Sequence, residues 1–285
     1  MSEAPLLEVE DLHVTFHTPK GPVEAVRGVS FTLGREKLGI VGESGSGKSQ
    51  TGRAILGLMD RRAVVRAKTL RFAGTDLLTA DAATMRRIRG AGISMILQDP
   101  KYSLNPVMSV GRQIAEAFLV HHKTTRREAR RRTLEILEAV RIRDAERVYR
   151  AYPHELSGGM GQRVMIAMMM IPEPEIIIAD EPTSALDVTV SLQVLAILDD
   201  MVTRRGTGLI LISHDLTLVA SYCDRVLIMY AGRIMESCAA DQLANAQHPY
   251  TRGLMNCLPK IGEESETLPT LVRDPSWAMD GGPAE

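Results

Sequence analysis

The sequence predicts an α/β fold: a largely parallel sheet covered by helices, with an antiparallel β portion ahead of it. Three observations carry that expectation. Near the N-terminus, "LLEVEDLHVTF" and "VEAVRGVSFTL" alternate apolar and polar residues on either side of "HTPKGP", the pattern of antiparallel strands around a turn. The apolar start of "KLGIVGESGSGKSQTGRAILGLM" then enters a Gly/Ser-rich loop and leaves as a helix, with Ala54, Ile55, Leu58 and Met59 at helical spacing. Later, "EIIIAD", "GLILIS" and "RVLIMY" read as core strands separated by the helix-like "VTVSLQVLAILDDMVTRRG" and "LTLVASYC".

Between these parts, from about Met85 to Ile171, the pattern is mostly helical and includes the basic "KTTRREARRRTLEILEAV". No aromatic residue interleaves with the run from Lys123 to Arg132, so a solvated helix face is a better reading than a nucleic-acid surface. After His248 the chain becomes rich in Pro, Gly and acid, "GEESETLPTLVRDPSWAMDGGPAE", the composition of an extended or poorly ordered tail.

Bulk properties exclude several classes. With 45% hydrophobic and 24% charged residues over 285 positions, the chain has ordinary globular composition and enough length for a substantial core. Lys plus Arg total 34 against 35 Asp plus Glu, which gives no global reason to expect nucleic acid as a partner. Cys223, Cys238 and Cys257 lie far apart with no C-x-x-C, so they read as buried or free thiols in a reducing compartment. The start of the chain lacks a basic segment followed by an apolar one, which argues against a secretory signal. No apolar run approaches the roughly 20 residues of a membrane-spanning helix, so a membrane role would run through a partner.

Three segments carry chemistry. "GESGSGKS", Gly42 to Ser49, fits G-x-x-x-x-G-K-[ST] between a strand and a helix. Glycines let such a loop curl so that its amide hydrogens point inward, and the helix N-terminus adds partial positive charge. The candidate nucleotide-binding residues are therefore Gly42, Glu43, Ser44, Gly45, Ser46, Gly47, Lys48, Ser49 and Gln50, with Lys48 reaching the β- and γ-phosphates and Ser49 a Mg²⁺ ligand. "EIIIADEP" ends an apolar strand in two acids, where Asp180 can hold Mg²⁺ through its water and Glu181 can act as general base. In "LSGGMGQRVMIAMMM" a glycine pair opens an apolar helix, which suits close backbone approach and amides free to bind an anion. The methionines behind it read as core filler.

The order of phosphate loop, "LSGG" and strand-Asp-Glu resembles the ATP-binding cassette (ABC) ATPases. That resemblance implies a P-loop NTPase (RecA-like) core with an antiparallel β subdomain and an inserted helical subdomain at about 90–172, within an ABC ATPase domain over 1–258 and a C-terminal extension over 259–285. It implies ATP and Mg²⁺ as ligands, and it implies that Ser157, Gly158 and Gly159 cap the γ-phosphate of ATP held by a second subunit. Gln98 resembles the lid glutamine on the Mg²⁺ and water side, and Ser184 to Asp187 the loop that crosses the dimer interface. His214 resembles the switch histidine at the γ-phosphate. Phe16 is the choice for the ring stacked on adenine, with His13, His17, Val23 and Val26 as alternatives.

"GESGSGKSQT", "QDPKYSLNP", "ADEPTSALDVTV" and "HPYTRGLM" further resemble the oligopeptide, dipeptide and nickel importer branch of bacterial ABC ATPases. The partners so implied are a second ATPase subunit (a copy or a related chain), two membrane-spanning permease subunits and an extracytoplasmic substrate-binding protein, without nucleic acid. The expected location is peripheral, at the cytoplasmic face of the inner membrane. Two residues depart from the branch: Gly161, where Arg is usual, and Lys101, where an apolar residue is common. No cysteine follows Cys257, so no iron–sulfur cluster is expected. The rival reading, a soluble ABC ATPase acting on nucleic acid or ribosomes, would typically show two cassettes, a coiled-coil insertion or zinc cysteines.

Overall fold

The computed structural model describes residues 4–184, 186–257, 271 and 273–278. The chain divides into two compact units, Met1–Thr79 with Leu211–Glu285 and Ala80–Ile210.

The first unit opens with β1 (Leu7–Thr18) and β2 (Gly21–Leu33), an antiparallel hairpin. The sequence predicts a six-residue break at "HTPKGP", yet the strands run on to Thr18 opposite Gly21. Gly21 takes a φ of 117°, and the Thr18 hydroxyl accepts from the Lys20 amide at 3.2 Å and donates to the Gly21 carbonyl at 2.8 Å, so two residues suffice for the turn. Next come β3 (Lys37–Gly42), α1 (Lys48–Ile55), β4 (Ala63–Arg66), β5 (Thr69–Phe72) and β6 (Thr75–Asp76). One sheet has the order β2-β1-β5-β6, with β4 also paired to β1. Its period-two pattern buries Leu12 and Val14 from β1 and Val29, Phe31 and Leu33 from β2.

In the second unit, α2 (Ala82–Arg87) leads to β7 (Ile93–Ile96), α3 (Pro100–Ser103), α4 (Val110–His121), α5 (Arg126–Ala139), α6 (Ala145–Arg150) and α7 (Gly158–Met170). β8 (Ile176–Asp180) and α8 (Val188–Arg205) follow. Side-chain oxygens cap the helix starts, for example Thr125 on the Glu128 amide at 3.2 Å and Asp144 on the Arg147 amide at 3.1 Å. β8 is buried at every residue and runs parallel to β7, with Ile93 opposite Ile176. Met165 and Met170 of α7 are wholly buried beside Val164, Ile166 and Ala167, the core role expected of them.

Within β9 (Gly208–Ser213) the chain re-enters the first unit at Leu211, and α9 (Leu216–Tyr222), β10 (Arg225–Tyr230), β11 (Arg233–Ala239) and α10 (Pro249–Asn256) follow. β10 is parallel to β3, with Val226 opposite Gly39, and antiparallel to β11. That parallel pair brings the carboxyl end of β3 beside that of β10, which is where the phosphate loop leaves the sheet. The tail departs from the sequence expectation in one stretch, because Arg273 and Trp277 have defined partners in the first unit. Residues 258–270 and 279–285, most of the expected C-terminal extension, lie outside the described residues.

Candidate nucleotide site

In the first unit, buried β3 delivers Gly42, where a Cβ would come 2.1 Å from the Met229 carbonyl oxygen of β10. Only glycine fits there. Gly47 caps α1 at φ 100°, and a Cβ on it would meet the Ala25 carbonyl oxygen at 2.4 Å. The curl is held from within: the Ser46 amide donates to the Glu43 carbonyl at 3.1 Å, and the Gly232 amide donates to the Ser46 carbonyl at 3.0 Å. Lys48 is buried, and its Nζ donates to the carbonyls of Gly42 at 2.7 Å and Glu43 at 2.8 Å. The ammonium thus lies along the loop, where phosphate oxygens could replace the carbonyls as acceptors. Ser44 and Gly45 form the exposed apex, and Ser49 and Gln50 are half-buried in the first turn of α1. Inward curl, buried ammonium and helix N-terminus together suit a phosphate chain.

Phe16 is half-buried on β1 opposite Val23, which is 54% exposed, so these two side chains share an accessible face. Val26 pairs with Val14 and is wholly buried, which removes it as an adenine contact. His13 is half-exposed beside Asp11, and His17 is exposed. His214 is exposed directly after β9, ahead of Asp215, whose carboxylate caps α9 through the Leu218 amide at 3.0 Å.

In the second unit, Asp180 ends β8 and is buried, and Glu181 follows with a left-handed φ of 46°. For a residue with a Cβ that conformation costs roughly 1–2 kcal/mol. It turns the chain sharply at the strand end. The Gln98 amide, two residues beyond β7, donates to the Glu181 carboxylate at 3.3 Å. The parallel pairing of β7 and β8 thereby brings together two residues 83 positions apart. Among the described residues no cluster of three or more His, Cys, Asp or Glu could hold a metal ion. Of the oxygen donors expected for Mg²⁺, Ser49 lies in the first unit, and Gln98 and Asp180 lie in the second. Such hard donors suit an ion that also takes phosphate and water oxygens.

The "LSGG" segment forms the N-terminus of α7. Ser157 is the cap, its hydroxyl accepting from the Met160 amide at 3.4 Å. Ser157 and Gly158 are exposed, whereas a Cβ on Gly159 would meet Val190 Cγ1 of α8 at 2.6 Å. The glycine pair therefore splits. Gly159 lets two helices approach, and Gly158 stays open. Asp187 caps α8, accepting from the Val190 amide at 2.9 Å, so its carboxylate already has a local task. At Gly161 a Cβ would lie 3.4 Å from Pro100 Cγ of α3, an ordinary contact, so the structure gives no steric reason for glycine there.

A family model described as ABC transporter matches residues 26–184. The chain belongs to the ABC transporter family. This ABC chain is 47% identical over 268 residues to the dipeptide transport ATP-binding protein of Haemophilus influenzae (strain ATCC 51907 / DSM 11121 / KW20 / Rd), spanning 93% of this chain and 81% of the relative. It is 46% identical over 272 residues to the oligopeptide transport ATP-binding protein of Escherichia coli (strain K12), spanning 95% and 80%. Among solved structures, cbiO1 from Clostridium perfringens, part of an ABC transporter complex, superposes with a TM-score of 0.72 at 26% identity over 85% of this chain and 92% of its own. The ABC chain therefore has the mixed α/β cassette fold that its sequence predicts. Among its described residues no helix is long and apolar enough to cross a membrane.

One feature of this ABC chain has no signal in the sequence. Arg273 donates to both oxygens of the Glu43 carboxylate in the phosphate loop, at 2.9 and 3.3 Å. The "HPYT" motif nearby has a local explanation. His248 caps α10 by accepting from the Tyr250 amide at 3.1 Å, Pro249 occupies the first helical turn, and Tyr250 is wholly buried. Burial holds the His248 imidazole below its ordinary pKa of 6.5, with the Glu236 carboxylate pulling the other way.

Proposed function

We propose that this chain is the ATP-hydrolysing subunit of a peptide-type ABC importer, taking an oligopeptide, dipeptide or nickel-like cargo across the cytoplasmic membrane. ATP is the substrate. Lys48 and the amides of Gly45 to Ser49 hold its β- and γ-phosphates, and the face shared by Phe16 and Val23 takes the adenine. Ser49, Asp180 and Gln98 would hold Mg²⁺, which when bound would supply charge neutralisation at the phosphate oxygens. Glu181 takes a proton from the attacking water as its oxygen bonds to the γ-phosphorus, and the bond to the β-phosphate oxygen breaks to release ADP. His214 donates to the γ-phosphate. Ser157 and Gly158, at the open N-terminus of α7, serve the ATP of a second ATPase subunit, and the Asp187 loop lies at that same interface.

The observation that carries the hydrolytic reading is the Gln98 amide on the Glu181 carboxylate at the end of a buried strand, 3.3 Å apart. An amide there can orient the base and sense what the base touches. The peptide-import reading rests on the similarity over nearly the whole chain to transport ATP-binding proteins. Two permease subunits and an extracytoplasmic substrate-binding protein complete the complex, and the chain is peripheral on the cytoplasmic face of the inner membrane. The shaped loop from Lys101 to Asn105, with Pro106 and Val107 directly after it, contacts a permease. In this stretch the Ser103 hydroxyl is buried and Val107 is 79% exposed, so Val107 is the reporting position.

The basic helix α5 supports this reading over a nucleic-acid ATPase. Arg131 pairs with Glu128 and Glu135, and Arg130 with Glu146 at 2.7 Å, so these cations are already balanced on the helix surface. A Val107→Cys variant in membranes should crosslink to a permease subunit with a yield that changes on adding ATP. A chain that hydrolyses ATP, captures no permease subunit and leaves peptide uptake unchanged when deleted would sink the transport reading.

A further inference from the structure

The phosphate loop carries an acid, Glu43, whose carboxylate no step of phosphate binding uses. Its carboxylate is about one-third exposed and sits among amides meant for a triphosphate, where an unbalanced negative charge works against the nucleotide. Its own carbonyl accepts from Lys48 Nζ at 2.8 Å and from the Ser46 amide at 3.1 Å, so moving Glu43 disturbs the curl and the lysine together. The partner of this carboxylate comes from 230 residues away. Arg273 forms a two-pronged bond to it, at 2.9 and 3.3 Å.

The segment bearing Arg273 is itself anchored. Trp277 packs edge-on against Tyr230 at the end of β10, Tyr250 of α10 and His248, with ring centroids 6.3, 5.8 and 5.9 Å apart. Tyr230 and Tyr250 touch each other at 4.7 Å, and Tyr250 is wholly buried. Burial first, and then the nearby Glu43 carboxylate, push the Tyr250 hydroxyl above its ordinary pKa, in keeping with its place beside the loop. The aromatic cluster sets the segment down, and the guanidinium reaches the loop from it.

We infer that Arg273 is a positioning residue for nucleotide binding: it neutralises Glu43 and holds the phosphate loop in its binding curl, so that the C-terminal segment sets this chain's affinity for MgATP. The inference rests on the reading of Gly42 to Ser49 as the ATP site.

The test is a double-mutant cycle on the full chain, with MgATP affinity read by calorimetry and KM and kcat by phosphate release. Arg273→Gln should weaken MgATP binding and raise KM about two- to fivefold, the range for a partly exposed ion pair, with kcat nearly constant. Arg273→Lys should fall between it and the parent. In the Glu43→Gln background the same Arg273→Gln change should have no effect, since no charge remains to balance. Trp277 is the only tryptophan in the chain, so its emission reports separately whether the segment stays docked. An unchanged KM in Arg273→Gln, or an equal rise in both backgrounds whatever Trp277 reports, would overturn the inference. Absence of MgATP binding by the parent chain would instead remove the nucleotide reading on which it depends.

Discussion

The phosphate loop and the N-terminus of α7 are both glycine-rich helix starts, and they use their glycines in opposite ways. At the phosphate loop, Gly42 and Gly47 answer to neighbours in their own unit: a Cβ would strike a backbone carbonyl at 2.1 or 2.4 Å. The loop is closed on itself, with its lysine already bonded to its carbonyls. At α7 only Gly159 has such a reason, through Val190, while a Cβ on Gly158 would meet nothing nearer than Leu186 Cδ2 at 3.6 Å. A glycine that no described residue demands, exposed at a helix N-terminus, suits an anion brought from outside. In the proposed reading, one helix start holds a phosphate by itself and the other completes a site elsewhere.

Chemistry gives the largest expected break in this contrast. Glu181→Gln should still bind MgATP but lose roughly 10²–10⁴ in turnover, because an amide cannot take the water's proton. Lys48→Ala should lose binding as well as turnover with its fold retained, which separates holding from cleaving. Phosphate release and nucleotide binding, measured side by side, check both, and near-parental turnover in either variant removes that residue from the mechanism.

Folding gives the next. Gly47→Ala should destabilise the chain by about 2–4 kcal/mol, combining the left-handed conformation with the clash against the Ala25 carbonyl. Gly158→Ala should be neutral or stabilising within about 1 kcal/mol, since alanine is the better helix former and has room. If Gly158 serves a second subunit, that variant should nevertheless hydrolyse ATP more slowly. Denaturant titration and phosphate release on the two proteins separate the roles, and parental turnover in Gly158→Ala would leave its exposure without a function.

The smallest effect concerns the end of the first unit. The folded pKa of His248 lies below its unfolded value of 6.5, so near pH 6 the unfolded chain binds more protons. The contribution of this group is therefore complete above pH 6.5 and is lost as pH falls through the folded pKa. His121, also held down by burial, adds to the same trend. The melting temperature should drop on going from pH 7.5 to 5.5. His248→Asn, which keeps a capping acceptor worth about 1 kcal/mol but does not titrate, should flatten part of that drop. An identical pH profile in the variant would assign the acid sensitivity elsewhere.

The two helix starts also differ in how far they could be read in advance. "GESGSGKS" between an apolar strand and a helix identifies its loop from local pattern, because its curl depends on glycines a few positions apart. The two glycines of "LSGG" look alike in one dimension. They separate only when α8 is laid against α7 and Val190 occupies the space beside one of them. The hairpin turn is shorter than its composition suggests for a similar reason. Four of the six residues in "HTPKGP" join the ladder once the opposite strand supplies hydrogen bonds, although their composition reads as loop.

By itself the sequence determined what depends on near neighbours: the phosphate loop, the acid pair after a buried strand, the alternating sheet and the helical spacing. Periodicity and side-chain-to-backbone bonds act over a few residues and leave their mark in the string. Tertiary structure alone decided which distant groups meet. Glu181 receives the Gln98 amide because β7 and β8 lie parallel, and Gly161 faces Pro100 because α3 packs there. Glu43 is matched with one of 34 basic residues because Trp277 seats the far end of the chain among Tyr230, His248 and Tyr250. Charge pairing has no period and no fixed spacing, so the partner is set by the packing that brings the two ends together.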